Sequence, residues 1–378
     1  MLERDDMREQ LNVRAAFADV RGYLDTPSVG LPPLAATDRL REAVRGWETG
    51  TADYGDWERD AEECRAAFAA MLGVAPADVA LVASIVPAVA AVASGLARRG
   101  GDVVAHRAEF RSLLLPFLAH VGEDRIRWVD GPYVAATFTA GIDAAADRGV
   151  AAVVCSSVSS HDGGRPDLPR VVDAADAYGA GVVVDATQSL GVAGLGIDAT
   201  RLGAVFCAGY KGLLGPRGAA YAYVRPDLLE GPPPAPSPYG MADAPVVGAY
   251  GPPLAPRPGA SGLDGSPAWL CWVGALPALR FLAEVPEEHR EAHTVYLAER
   301  LRAGLAEAGF SAQDTDAAGP VVSVEAAEPS AVVAALREAR VRAAARRGRV
   351  RFGFHLYNST YDVERVLAVL RAPHQGAR

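Results

Sequence analysis

Of the 37 basic residues in this 378-residue chain, one is a lysine, Lys211, and the other 36 are arginines. Such a bias is that of a high-GC coding sequence, in which arginine replaces lysine wherever a positive charge suffices. A lysine that survives it is needed as an amine. A guanidinium stays protonated and is a poor nucleophile, whereas lysine can condense with a carbonyl as a Schiff base. Chance survival of one surface lysine is the alternative, and the neighbours decide between the two. Asp185 lies 26 residues earlier, at the end of the apolar run GVVVDAT (181–187), and the run LGAVFCAG (202–209) leads directly to Lys211. Open α/β sheets bind ligands at the carboxyl ends of their strands. An acid and an amine on that rim suit a pyridine cofactor. The carboxylate keeps the ring nitrogen protonated, so that the ring accepts electrons from a substrate carbanion, and the amine holds its aldehyde. Asp185 alone is equally a helix N-cap; the only lysine behind it tips the reading towards chemistry.

The elements that must position this pair are readable. VALVAS (79–84), DVVAH (102–106), VAAVVCSS (150–157), GVVVDAT, LGAVFCAG and AAYAYV (219–224) are short runs, most of them continuously apolar. That pattern predicts strands buried on both faces of a largely parallel sheet. Helical stretches such as PAVAAVASGLARR (87–99) and LPRVVDAADAYG (168–179) lie between them, the second closing on Gly179. The alternation predicts a doubly wound α/β domain. Residues 231–267 are rich in Pro, Gly and Ser, too long a stretch for an idle loop. Helices over 268–285 and 287–309 follow, and alternating short strands and helices predict a small α+β domain at the end of the chain. The expected division is an N-terminal segment, 1–20, packing near the small domain, a large domain over 21–265 and the small C-terminal domain over 266–378.

A net charge of −9 argues against nucleic acid or an anionic membrane as partner. The four cysteines, Cys64, Cys155, Cys207 and Cys271, show neither CxxC nor metal-like spacing. No metal is expected, and the thiols read as small core residues of a reduced, cytoplasmic protein. MLERDDMREQ is too polar for a signal peptide, and no apolar run has membrane-spanning length. A dinucleotide oxidoreductase would need G-x-G-x-x-G after its first strand, and Gly191, Gly194 and Gly196 come in the wrong order. A ligand-sensing regulator would need a basic face or a helix-turn-helix extension, and neither is present.

VVVDATQSLG and AVFCAGYKGLLGPRGAAYAYV resemble the core of the class V aminotransferases, the family of cysteine desulfurases and isopenicillin N epimerase. The likeness runs from YLDTPSVGLPP near residue 23 to YNSTYDVERVLAVL near 370. It implies the aspartate-aminotransferase-like fold (fold type I), pyridoxal 5'-phosphate as cofactor, and a homodimer whose active sites are built from both subunits. By the same resemblance Asp185 binds the ring nitrogen, Gln188 the ring hydroxyl oxygen, and Lys211 is the Schiff-base lysine. Phe110, in AEFRSLLLPF, stands where desulfurases stack a histidine on the ring. Ser84, Ile85 and Val86 occupy the phosphate-binding turn, the latter two where desulfurases have threonines, so that only backbone donors remain there. Ser160 falls near the ring oxygen. Tyr210 replaces a common histidine and could reach phosphate, Ala208 replaces a phosphate-binding serine, and Ser266 matches a motif that reaches the phosphate of the other subunit. Arg351, in VRFGFHLYN, matches the arginine that grips the substrate α-carboxylate.

Desulfurases carry a cysteine on a loop ahead of that arginine. Here the region reads VRAAARRGRVRFG, and no cysteine follows Cys271. KGLLGPRG looks more like the epimerase-like branch, with its many tailoring enzymes. The expected activity is therefore a conversion at Cα or Cβ of an amino-acid-derived small molecule in specialised biosynthesis. Transamination comes ahead of C–S β-elimination, and epimerisation third. Tyr54 and Trp57, with the 231–260 loop, are candidates for the substrate pocket or for interface packing.

Overall fold

Seven short strands form the large sheet: β1 (Val79–Val82), β2 (Asp102–His106), β3 (Ile126–Val129), β4 (Val150–Ser156), β5 (Gly181–Asp185), β6 (Ala204–Ala208) and β7 (Ala220–Val224). Their spatial order is β1-β7-β6-β5-β4-β2-β3. β3, β2, β4, β5 and β6 pair in parallel, and β7 runs antiparallel to both its neighbours, β6 and β1. The computed structural model describes residues 13–242, 250–312 and 315–371. Most of the segment expected to pack near the small domain, 1–12, lies outside the described residues, as do 243–249 of the Pro/Gly-rich stretch.

Alternate strand residues feed two separate cores, as a doubly wound sheet requires. Val153, Cys155, Val182, Val184, Val205 and Cys207 pack on one face with α2 (Tyr54–Leu72), α5 (Ala135–Ala145) and α6 (Leu168–Asp176). Ala152, Val154, Val183, Ala204 and Phe206 pack on the other with α3 (Ile85–Arg99) and α4 (Arg111–His120). The continuous apolar runs of the sequence follow from this two-sided burial. β3, IRWV, has no counterpart among the strands read from the sequence. It is an edge strand, and its two middle residues are half-exposed.

The C-terminal part is built on a three-stranded antiparallel sheet, β8 (Val321–Glu325), β10 (Arg349–Gly353) and β9 (Ala344–Arg346), in that spatial order. Val322, Val324, Val350 and Phe352 turn inward onto α8 (Glu287–Glu307), α9 (Pro329–Glu338) and α10 (Thr360–Arg371). α7 (Trp269–Glu284) falls just after the expected boundary at 265, yet it packs on α2 and on α1 (Leu34–Thr49) beside the large sheet. Residues 22–25 run back along the small sheet: Leu24 N donates to the Arg342 carbonyl at 2.9 Å, and Gly353 N donates to the Leu24 carbonyl at 2.8 Å. This return brings residues 22–28 to the carboxyl rim, where the Pro27 carbonyl meets Gln188.

Candidate active site

Because β1, β2, β4, β5 and β6 all point the same way, their carboxyl ends share one rim. Asp185 is the last residue of β5, Ser156 the last of β4, and Lys211 comes three residues after β6. Lys211 lies in a turn whose backbone is tightly bound. Gly30 N donates to the Tyr210 carbonyl at 2.9 Å, Leu214 N to the Lys211 carbonyl at 3.1 Å, and Gly215 N to the Gly209 carbonyl at 2.8 Å. A Cβ on Gly30 would lie 2.1 Å from the Lys211 carbonyl oxygen, so only glycine lets the two backbones meet. Leu214 is held at φ 60°, the left-handed region that branched side chains avoid.

The Lys211 side chain is buried, with Nζ 5.4 Å from the centre of the Phe110 ring and 5.7 Å from that of Tyr210. Burial lowers its pKa to about 8; the Arg351 and Arg217 guanidiniums push in the same direction, and the Asp185 carboxylate opposes them. A neutral amine is thus available at moderate pH, as carbonyl chemistry requires. Reductive methylation of the cofactor-free protein with formaldehyde, read by peptide mass, tests this on the only lysine. Lys211 labelling should rise with a midpoint near pH 8. A midpoint in the ordinary lysine range, about 10.4, would show that the amine is not desolvated.

Asp185 is buried, and its Oδ1 accepts from Thr187 N at 2.9 Å. Thr187 Oγ1 in turn accepts from Ala208 N at 2.9 Å and so ties the end of β5 to that of β6. Burial raises the Asp185 pKa, while the Thr187 hydrogen bonds and the Lys211 charge pull it back. Gln188, one turn on, donates from Nε2 to the Pro27 carbonyl at 3.1 Å. An amide nitrogen carries two protons, so a second donor remains.

Glu109 is a part of the site that the sequence reading missed. Its Oε1 accepts from Ser156 Oγ at 2.7 Å and Phe110 N at 2.6 Å; its Oε2 accepts from Ser156 N at 2.9 Å and Tyr133 Oη at 2.5 Å. Burial raises its pKa, and the Asp185 charge adds to the rise against these hydrogen bonds. The carboxylate fixes the backbone of Phe110, whose ring is 45% exposed and open to a stacking partner. The only sequence signal was an acid directly before the aromatic, which reads equally as a surface residue.

Ser84 occupies the N-cap position of α3, yet its hydroxyl makes no capping bond to the helix. The N–H groups of Ile85 and Val86 point out of the same helix end, and Pro87 contributes none. A 15-residue helix with an unspent hydroxyl at its start is suited to an anion. Arg351, on β10, is buried; its Nη1 donates to the Ser160 carbonyl at 2.7 Å and its Nη2 to Ser28 Oγ at 3.1 Å. Its Nε has no partner, and no carboxylate lies within ion-pair distance among the described residues. Burial lowers its pKa to about 10, with the Arg346 charge adding and Asp25 opposing. Such a guanidinium is poised for an incoming carboxylate.

Other candidates stand apart from this group. Ser266 is exposed, two residues after Asp264, which accepts from Arg65 Nη2 at 2.6 Å and Leu81 N at 2.8 Å and so docks its segment beside β1. Tyr54 stacks on Trp269 at 5.5 Å, and Trp57 packs against the same ring. A cavity of about 450 Å³ beside Arg65, Tyr239, Arg257 and Asp264 does not include Lys211.

An amine, a buried carboxylate, an open aromatic face and a helix end with free N–H groups are chemically suited to a phosphorylated pyridine aldehyde, and Arg351, with no carboxylate in ion-pair distance among the described residues, is suited to a carboxylate. A family model described as aminotransferase class-V matches residues 53–366. A probable cysteine desulfurase of Methanothermobacter thermautotrophicus is 29% identical over 216 residues, which are 54% of this chain and 53% of that protein; the match thus spans about half the length of this curated relative. Among solved structures, the cysteine desulfurase CsdA of Escherichia coli superposes with a TM-score of 0.80 at 20% identity, covering 96% of this chain and 97% of its own. The cysteine desulfurase of Thermococcus onnurineus gives 0.78 at 21% identity, covering 93% and 94%. The cystine C–S lyase C-DES gives 0.78 at 19%, covering 93% and 97%. These likenesses show a shared fold, and the family match covers most of the chain: the protein belongs to the class V aminotransferases, pyridoxal-phosphate enzymes of fold type I.

Proposed function

We propose that this enzyme transforms the α-carbon of an amino-acid-derived substrate, by transamination or a closely related conversion, within a specialised biosynthetic pathway. The carrying observation is the buried Lys211 amine beside Phe110, in a site whose other buried cation, Arg351, has no carboxylate of its own among the described residues. Bound pyridoxal phosphate supplies an electron sink for charge left on the substrate Cα. Lys211 Nζ would hold the cofactor aldehyde and would carry the substrate Cα proton. Asp185 keeps the ring nitrogen protonated, Phe110 covers one ring face, and the second Nε2 proton of Gln188 together with Ser160 serves the ring hydroxyl oxygen. Ser84, the Ile85 and Val86 N–H groups and the Tyr210 hydroxyl hold the phosphate; Ala208 offers no donor. Ser266, exposed on its docked segment, reaches the phosphate of a second copy, which makes the working unit a homodimer in the cytoplasm.

Persulfide-forming desulfuration is disfavoured by the hairpin itself. β9 and β10 are joined by Arg347 and Gly348 alone, with no loop and no cysteine ahead of Arg351. Of the chain's cysteines, Cys64, Cys155 and Cys207 are buried, with pKa values raised by burial. The placing in specialised biosynthesis rests on the likeness of KGLLGPRG to the epimerase-like branch.

The test is a visible spectrum of the cofactor-loaded protein with a panel of amino acids and cysteine S-conjugates. Lasting conversion to the pyridoxamine form supports transamination. Return of the starting spectrum with release of a keto acid and a thiol would replace it by C–S elimination. Arg351→Ala should raise KM for the converted substrate by about 30-fold or more, since a buried charge partner is worth about 2–5 kcal/mol. An unchanged KM would remove Arg351 from the substrate site.

A further inference from the structure

Three successive carbonyls frame the lysine, those of Tyr210, Lys211 and Gly212. The first two accept backbone N–H groups from Gly30 and Leu214. The third accepts from a side chain: His355 Nε2 lies 2.9 Å from the Gly212 oxygen. His355 Nδ1 accepts from Leu356 N at 2.8 Å, so the ring proton must sit on Nε2, and the imidazole donates. The ring is fully buried, which lowers its pKa to about 3 and keeps it neutral at any working pH. It is locked from three sides. The ring stacks on Tyr357 at 5.2 Å and 14°, the His355 backbone N–H donates to Asn358 Oδ1 at 2.9 Å, and Asn358 Nδ2 donates to the Tyr23 carbonyl at 2.8 Å. The Gly212 backbone also passes close to the 190–191 backbone: a Cβ on Gly212 would meet the Leu190 oxygen at 2.2 Å. His355 stands four residues after Arg351 on the same stretch of chain.

We propose that His355 is a positioning residue that sets the Lys211 turn in register with the strand bearing Arg351, through its Nε2–H bond to the Gly212 carbonyl. The inference rests on the proposal that Lys211 holds the cofactor. It gives one rigid segment two duties: gripping the substrate through Arg351 and holding the amine that acts on it. With the donor lost, a buried carbonyl is left unsatisfied and the turn is free to shift. A displacement of about 1 Å in such a group is enough to alter its chemistry.

The test compares His355→Gln, which puts an N–H at the Nε2 position, with His355→Asn, which reaches only the Nδ1 position. Each variant is loaded with pyridoxal phosphate and titrated with pH, following the visible band and the visible circular dichroism of the bound cofactor. In His355→Asn the titration midpoint should move by about half a unit or more and the dichroism should fall, since the amine's surroundings change. His355→Gln should restore both. A folded His355→Asn with wild-type midpoint and dichroism overturns the proposal, as does equal disturbance in both variants. Should His355→Asn fail to fold, His355→Leu is read in the same way; if only the glutamine variant folds, the bond serves stability rather than register and the proposal fails. Borohydride reduction of the wild-type protein and mass analysis of the Lys211 peptide keep the two ideas apart. No cofactor adduct there sinks the role of Lys211 itself, whereas an intact adduct with unmoved variants sinks only that of His355.

Discussion

Lys211→Ala is expected to abolish the visible band of the bound cofactor and to lower turnover by at least about 10³-fold, because in the proposed site the amine would both hold the cofactor and carry the proton. The chain has no second lysine to take over. Lys211→Arg keeps the charge and should be equally inactive, since a guanidinium does not condense with an aldehyde. A small primary amine added to Lys211→Ala should return part of the activity, and none to Lys211→Arg, where the cavity is filled. Normal turnover in either variant would remove Lys211 from the chemistry. The same substitution also changes how stability depends on pH. The folded pKa, about 8, lies below the ordinary lysine value of 10.5, so folding disfavours the charged amine. Between those two values the unfolded chain holds more protons than the folded one, so stability rises with pH across that window. Below it the full cost of burying the amine is present. The cofactor-free Lys211→Ala protein should therefore lack this gain and show a flatter dependence of stability on pH above about pH 8. A variant whose stability rises with pH as steeply as that of wild type would contradict the direction of the shift.

What was legible in the sequence was whatever burial or chemistry writes as a residue type. Strands β2, β4, β5, β6 and β7 show as apolar runs because both faces are covered. β3 does not, because Arg127 and Trp128 sit half-exposed at the sheet edge. Lys211 and Asp185 stood out because an amine and a strand-end acid are the residue types pyridine chemistry would need, and the sheet brings both to one rim. The supports of the site were not. Glu109, Thr187, Ser28 and His355 act through hydrogen bonds across 47, 21, 323 and 143 residues of chain. A local sequence pattern carries no trace of such pairings, which appear only when the sheet brings its strand ends together. The hairpin ahead of Arg351 lies between these cases. The missing cysteine was plain in the sequence, but that Arg347 and Gly348 form a tight turn with no room for a loop is a fact of pairing, Arg346 facing Arg349.

Asp185→Asn separates holding the cofactor from using it. The asparagine side chain is nearly the same size, and its carbonyl oxygen can still accept from Thr187 N, so the ends of β5 and β6 should stay tied. What is lost is the charge. A buried carboxylate has two ways to lower its cost, to take up a proton or to face a cation, and burial already raises the pKa of this one. In the proposed site a protonated ring nitrogen would give it that cation, so acid and ring would stabilise each other's charged forms. An asparagine leaves the ring nitrogen neutral and weakens its pull on electrons from the substrate Cα. The expected result is a cofactor that still binds and still gives its visible band, with turnover lower by about 10²–10³-fold, the usual cost of removing a preorganised electrostatic partner. Exchange of the substrate α-proton with solvent should slow by a similar factor, because proton removal is the step that needs the charge. Cofactor loading is the control: Asp185→Ala should weaken it as well, since the bond from Thr187 N then has no acceptor. Wild-type α-proton exchange in Asp185→Asn would show that the ring nitrogen is handled by another group, and would leave Asp185 with only its structural bond to Thr187.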